Sequence, residues 1–186
     1  MIDETKLVKG IRLFFEGLGL GAELADQHFR DTPKRVAKAW KEHFGAGYEL
    51  DPKKYLNVEF SDDYDQMVVV KDIPFMSHCA HHIVPFCGVA KIGYLPDEKR
   101  ITGLSKLARV LNGYAQRLQI QEQLTRQVAS AIQEVLRPKG VGVVLEAEHF
   151  CMTRRGVKAP GSMTITSCLL GSFRDEPETR AEFLNM

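Results

Sequence analysis

The chain has 186 residues, enough for one domain with a small appendage. A hydrophobic share of 44% is enough for a real core, and a charged share of 26% brings ordinary solubility. A net charge of +1 excludes bulk attraction to nucleic acid or to a membrane surface, so any basic site must be a local cluster.

No apolar run approaches membrane-spanning length, and the start Met1-Ile2-Asp3-Glu4-Thr5 is acidic, unlike a signal peptide. A cytoplasmic location is the expectation. There Cys79, Cys87, Cys151 and Cys168 stay reduced, as ligands or packing residues rather than a disulfide framework.

Residues 3–18 carry Leu7, Ile11, Phe14, Phe15 and Leu18 at helical spacing, and Gly19 and Gly21 break the pattern. A short helical piece follows around residues 22–29. Thr32-Pro33 predicts a helix start with Thr32 as cap, Val36, Trp40 and Phe44 facing inward, and a stop at Gly45. From about residue 55 the pattern turns to strand. Met67-Val68-Val69-Val70 is β-branched and continues toward Phe75, and residues 83–95 read as a second strand. Pro96-Asp97-Glu98-Lys99 is a turn. Residues 104–118 and 121–136 are predicted helices, the second ended by Pro138-Lys139-Gly140. Residues 141–153 and 163–170 read as two more strands, and Asp175-Glu176-Pro177 opens a short C-terminal helix. Helices followed by strand-strand-helix-helix-strand-strand predict an α+β fold with an antiparallel sheet. Residues 1–50 form an N-terminal helical extension and residues 51–186 the catalytic domain in this reading.

Cysteine and histidine are scarce, four and six residues, yet most lie in Ser77-His78-Cys79-Ala80-His81-His82 and His149-Phe150-Cys151. Thiolate and imidazole are the ligands that a zinc-like ion prefers. Cys79 and His82 can reach one point from a turn. His149 and Cys151, two apart in a predicted strand, face one side of a sheet, so one could ligate while the other works on substrate. Three protein ligands leave a fourth position for water, whose pKa zinc lowers toward ~7. The HxE and PCxxC signatures of zinc nucleobase deaminases are absent. His78, Cys87 and Cys168 are read as packing residues. Ser105-Lys106-Leu107-Ala108-Arg109 opens a predicted helix whose backbone N–H groups favour anions, and Arg154-Arg155-Gly156-Val157-Lys158 follows the last cysteine-histidine segment. Converging Lys and Arg would bind phosphate. Glu122, in the first turn of the next predicted helix, offers two carboxylate oxygens to adjacent donors such as the N1–H and exocyclic amine of guanine.

These segments resemble one family, GTP cyclohydrolase I. The resemblance rests on Asp31-Thr32-Pro33-Lys34-Arg35-Val36-Ala37-Lys38, on Cys79 through Phe86, and on Gly93-Tyr94-Leu95-Pro96. It continues through Gly103 to Arg109, Gln119 to Thr125, Glu146 to Met152 and Arg155-Gly156-Val157. The resemblance implies the tunnelling fold, whose sheets close barrels only by oligomerising, and a homodecamer of two face-to-face pentamers with active sites shared between subunits. It implies zinc, or Fe2+ in its place, on Cys79, His82 and Cys151. The family's catalytic histidines fall on His81 and His149, and a serine linked to the ribose rearrangement falls on Ser105. The guanine-binding carboxylate falls on Glu122 with Gln121 beside it. Triphosphate contacts fall on Lys106, Arg109 and Arg155, with Arg35 and Lys38 reaching in from another subunit. The implied reaction is hydrolysis of GTP at C8 with release of formate and closure to 7,8-dihydroneopterin triphosphate, the first step of folate and pterin synthesis. One position departs from the family's usual Cys-Glu-His-His: Ala80 stands where the glutamate is expected, which removes a charge beside the metal loop but touches no ligand.

Overall fold

The computed structural model describes residues 1–57 and 59–186. The N-terminal part is helical: α1 (Glu4–Gly17), a 3-10 turn at Ala22–Ala25, α2 (Thr32–Ala39), and a π-helical turn (Trp40–Phe44) that ends at Gly45. α1 begins with Asp3, whose side chain accepts from the Lys6 N–H. The predicted cap at Thr32 is corrected: Thr32 is already helical, Asp31 precedes it without a side-chain cap bond, and Pro33 sits in the first turn.

A short ladder pairs β1 (Glu59–Ser61) with β4 (Arg100–Thr102), two strands too short to show periodicity in the sequence. The main sheet contains β2 (Val68–Cys79), β3 (Pro85–Leu95), β5 (Leu118–Gln119), β6 (Gly140–His149) and β7 (Thr164–Gly171), in the order β5-β2-β3-β6-β7. All pairings are antiparallel except the short β5–β2 contact. α3 (Leu104–Ala115) and α4 (Gln121–Leu136) connect the two hairpins. This is the α+β order expected. The helix predicted over 104–118 ends at Ala115 instead, because Leu118 leaves it to pair with β2.

α3 and α4 cover one face of the sheet. From β6 that face takes Val141, Val143, Leu145 and Ala147, and from β3 it takes Phe86, Ala90, Ile92 and Tyr94, all buried. β2 joins it through a bulge. The register shifts between Val70 and Ile73, with Asp72 at φ 57°. Before the bulge even-numbered Val68 and Val70 face the core; after it Ile73, Phe75, Ser77 and Cys79 do. The bulge thereby turns Cys79 to the helix-covered side, the side also reached by Phe86 and His149.

The opposite face is partly covered by α6 (Ser172–Asp175) and α7 (Pro177–Asn185). Gly93 and Gly142, paired across β3 and β6, form a flat floor for the buried ring of Phe183. Lys91 Nζ donates to the Phe183 and Leu184 carbonyls, and Lys71 Nζ donates to the Met186 carbonyl, which caps the end of α7 with positive charge. A Cβ at Gly142 would stand 2.6 Å from both Phe173 and Phe183. The Gly142→Ala protein is expected to lose about 1–3 kcal/mol of stability through overpacking. Thermal unfolding checks this, and an unchanged midpoint would mean that the aromatic pair does not rest on that floor.

Candidate active site

The end of β2 carries the first candidate ligand, Cys79. Cys79 is buried, and its backbone closes a tight turn: its N–H donates to Val84 O at 2.9 Å and its carbonyl accepts from Ile83 at 2.8 Å and from His82 at 3.3 Å. Ile83 takes positive φ to complete the turn. This backbone brings His82 back toward Cys79, with Nδ1 4.0 Å from Sγ. His81 Nδ1 lies 3.9 Å from the same sulfur. Cys79, expected in a turn with His82, belongs to β2, and only residues after it form the turn.

The strand predicted through residue 153 is also corrected. β6 stops at His149, and Phe150–Thr153 form one helical turn, α5. Local bonds make the stop: Arg154 N–H donates to Phe150 O, Thr153 Oγ1 donates to Glu148 Oε1 at 2.7 Å, and the Arg154 guanidinium lies over the Phe150 ring. His149 and Cys151 therefore do not share a strand face. They meet at one site because α5 turns the chain back toward the loop after Cys79.

The ligand atoms of Cys79, His82 and Cys151 all lie within 4.8 Å of one another. A tetrahedral ion with metal–sulfur bonds of ~2.3 Å separates its ligand atoms by about 3.8 Å. Movements within about 1 Å would bring the donors to that spacing, and two thiols with one imidazole suit a borderline-soft divalent ion. Burial pushes the Cys151 thiol above the usual range, and the adjacent Cys79 adds to the rise, with Arg155 opposing it. A cation held between the two sulfurs inverts that preference and stabilises both thiolates. The donor set therefore fits a metal.

Beside the three donors is a cavity of about 200 Å³, lined by Cys79, His81, Glu122, His149 and Cys151 among others. His149 is held on two sides. Its ring stacks on Phe86 at 4.5 Å and 7°, and its Nε2 lies 2.6 Å from Gln121 Oε1. Burial lowers the pKa of His149, and the nearby Glu122 carboxylate opposes the shift. Glu122 is exposed at the start of α4 and faces the cavity. Arg155 Nη1 donates to His82 Nε2 at 2.9 Å, which brings one candidate phosphate ligand to the mouth of the site.

The remaining candidates do not line that cavity. Ser105 and Lys106 lie in the first turn of α3, Lys106 beside Gly103, and Arg109 is midway along the helix. The other end of α3 is the one that leads into β5 and the Cys79 turn, and a helix of 12 residues spans about 18 Å. Arg35 and Lys38 are exposed on α2. Within one chain the candidate metal donors, His81, His149, Glu122 and Arg155 converge, while Ser105, Lys106, Arg109, Arg35 and Lys38 are not among the residues that line the cavity. Ala80 is exposed, and its N–H donates to Gln119 O.

His78 is buried between Trp40 and Phe44 at 5.0 and 4.6 Å. Cys87 pairs with Met76 and Glu148, and Cys168 with Val143; neither belongs to the donor group. Phe86, Thr125 and Thr166 were assigned no role from the sequence. For Thr166 a signal existed: Thr164 and Thr166 alternate on the core-facing side of β7, where hydroxyls need partners.

The sequence model described as GTP cyclohydrolase I matches residues 11–186. A protein of Carboxydothermus hydrogenoformans called GTP cyclohydrolase 1 is 50% identical over 182 residues, covering 98% of this chain and 93% of that one. A protein of the same name from Pelotomaculum thermopropionicum is 48% identical over 186 residues, covering 100% of this chain and 97% of that one. One from Halalkalibacterium halodurans is 47% identical over 185 residues, with 100% and 97% covered.

Proposed function

This chain belongs to the GTP cyclohydrolase I family, and from that premise we propose that its cavity opens the imidazole ring of GTP at C8, releases formate and yields 7,8-dihydroneopterin triphosphate. GTP cyclohydrolase activity is the first step of pterin and folate synthesis. The observation that carries the reading is the convergence of Cys79, His82 and Cys151 beside His149 and Glu122.

In this reading Cys79, His82 and Cys151 hold zinc, with Fe2+ as the alternative that the same donors accept. The ion, when held there, supplies the Lewis acidity that makes water nucleophilic near neutral pH. Glu122 holds the guanine edge through paired donors. His149 exchanges a proton with the guanine N7 through the ring nitrogen that Gln121 leaves free. His81 and Ser105 assist opening and rearrangement of the ribose. Arg155, Lys106, Arg109, Arg35 and Lys38 hold the triphosphate.

One chain is too little for that substrate. A cavity of about 200 Å³ is below the 300–1,000 Å³ of ordinary small-molecule sites. Sheet order leaves the outer edge of β7 and most of the outer edge of β2 open among the described residues. Apolar Met76, Val89 and Ile165 are exposed on the uncovered face. Open edges of this length call for a partner strand. The proposed assembly is a ring in which β7 of one subunit pairs with β2 of the next, two pentameric rings making a decamer. The α3 start and the α2 cations of other subunits would then complete each site.

Mixing tests the sharing. Lys106→Ala and Cys151→Ala subunits are each expected to be inactive alone. If each site draws Lys106 and Cys151 from different subunits, co-refolding equal amounts restores about a quarter of the parental activity through sites that receive both intact residues. No recovery in mixed oligomers of parental size would contradict the shared site. No helix of the described residues is long and apolar enough to cross a membrane.

A further inference from the structure

The Gln121 side-chain amide spends its protons inside the protein. The residue is 1% exposed. Its two Nε2 protons are shared among three acceptors, Leu145 O at 3.1 Å, Thr164 O at 3.0 Å and Thr166 Oγ1 at 3.1 Å. Its Oε1 faces His149 Nε2 at 2.6 Å. These contacts fix the amide's orientation, because turning it over would set Oε1 against two carbonyls with no proton to share. The oxygen must therefore accept, and His149 Nε2 must carry the proton.

The hydroxyls behind it close a directed ring. Thr125 Oγ1 donates to Gln121 O at 2.7 Å. Having given its one proton, it accepts from Thr166 Oγ1, also at 2.7 Å, and Thr166 in turn accepts from Gln121 Nε2. Each group has one consistent role. The ring joins the first turn of α4 to β6 and β7, and its single outward bond ends on His149.

We propose that Gln121, backed by Thr166 and Thr125, is a positioning residue that holds His149 in its Nε2–H tautomer and keeps its ring parallel to Phe86, leaving Nδ1 as the nitrogen available for proton exchange with the purine. The Gln121 side chain acts on the reaction through His149. This rests on the part given to His149 above.

The test measures kcat, GTP affinity by equilibrium dialysis and metal content for three proteins. Gln121→Ala should lower kcat about 10- to 100-fold, the cost of a misplaced reacting group, while GTP affinity and metal content stay within about twofold of the parent. Thr166→Val removes only a hydroxyl remote from the substrate and should lower kcat by about 3- to 10-fold in the same pattern. It carries the test by itself if Gln121→Ala does not fold. A loss of GTP affinity as large as the loss of kcat in Gln121→Ala, or a parental kcat in Thr166→Val, overturns the assignment. His149→Ala is the control: parental kcat there would remove the premise rather than the clamp.

Discussion

Replacing Cys151 by alanine is expected to abolish metal content and turnover together. The three donor atoms lie within 4.8 Å of one another, and no further cysteine or histidine of the described residues belongs to that group. Removing Cys151 leaves one thiol and one imidazole, the latter on an exposed residue. Even an outer partner of a metal ligand is worth about 10–100-fold in affinity or activity, so losing a direct ligand should cost more than about 100-fold. Elemental analysis and GTP turnover on the same preparation check both halves. A metal-free variant that still turned over GTP would refute the ligand set, and a fully loaded variant would show that Cys151 is dispensable.

Replacing His149 by alanine separates the two properties. His149 is held by Phe86 and Gln121 rather than by the donor group, so the metal should stay. Turnover should fall by about 10²–10⁴, the range for a lost general acid or base. Removing the imidazole empties a slot above Phe86 without opening the sheet, since the β3–β6 ladder is made by backbone. Metal content measured beside kcat decides the matter. Parental turnover would reject the proton-transfer role, and simultaneous loss of metal would move His149 into the ligand set.

The two variants mark what the sequence could and could not disclose. Periodicity located the apolar faces of α3 and α4, since Leu107, Val110, Leu124 and Val128 repeat at helical spacing and all are buried. β-branched, strand-like composition located β2, β3 and β6. It could not foresee the bulge at Lys71-Asp72, which reverses the parity of β2 and aims Cys79 at the helix side. Nor could it foresee the stop at His149. A run from Val141 to Thr153 has strand composition throughout, and the turn at Phe150 depends on Glu148 and Arg154 bonding locally. The pairing of Cys79 with His82 was legible because a turn is a local structure. The approach of Cys151, 72 positions beyond Cys79, required the 141–153 strand to fold beside the 67–95 hairpin, and only the resemblance singled out Cys151 as the ligand, because strand order is not written in spacing.

The same limit applies to Gln121. Next to Glu122, in a segment that carries the family resemblance, it was expected at the substrate. Its side-chain partners could not be read locally: Leu145, Thr164 and Thr166 come from two strands that no local pattern brings to the start of α4. For Ser105, Lys106 and Arg109 the chain was legible as an anion-favouring helix start, but its place relative to the donors was not. One chain sets it at the far end of α3 from them.

The account turns on a divalent ion held by Cys79, His82 and Cys151 being required for attack on the purine. Purified protein should be stripped with a chelator, assayed with GTP for formate and for pterin fluorescence, and assayed again after zinc is restored. Both products should vanish on stripping and return together with the metal. Formation of either at the original rate by fully demetallated protein would contradict the account.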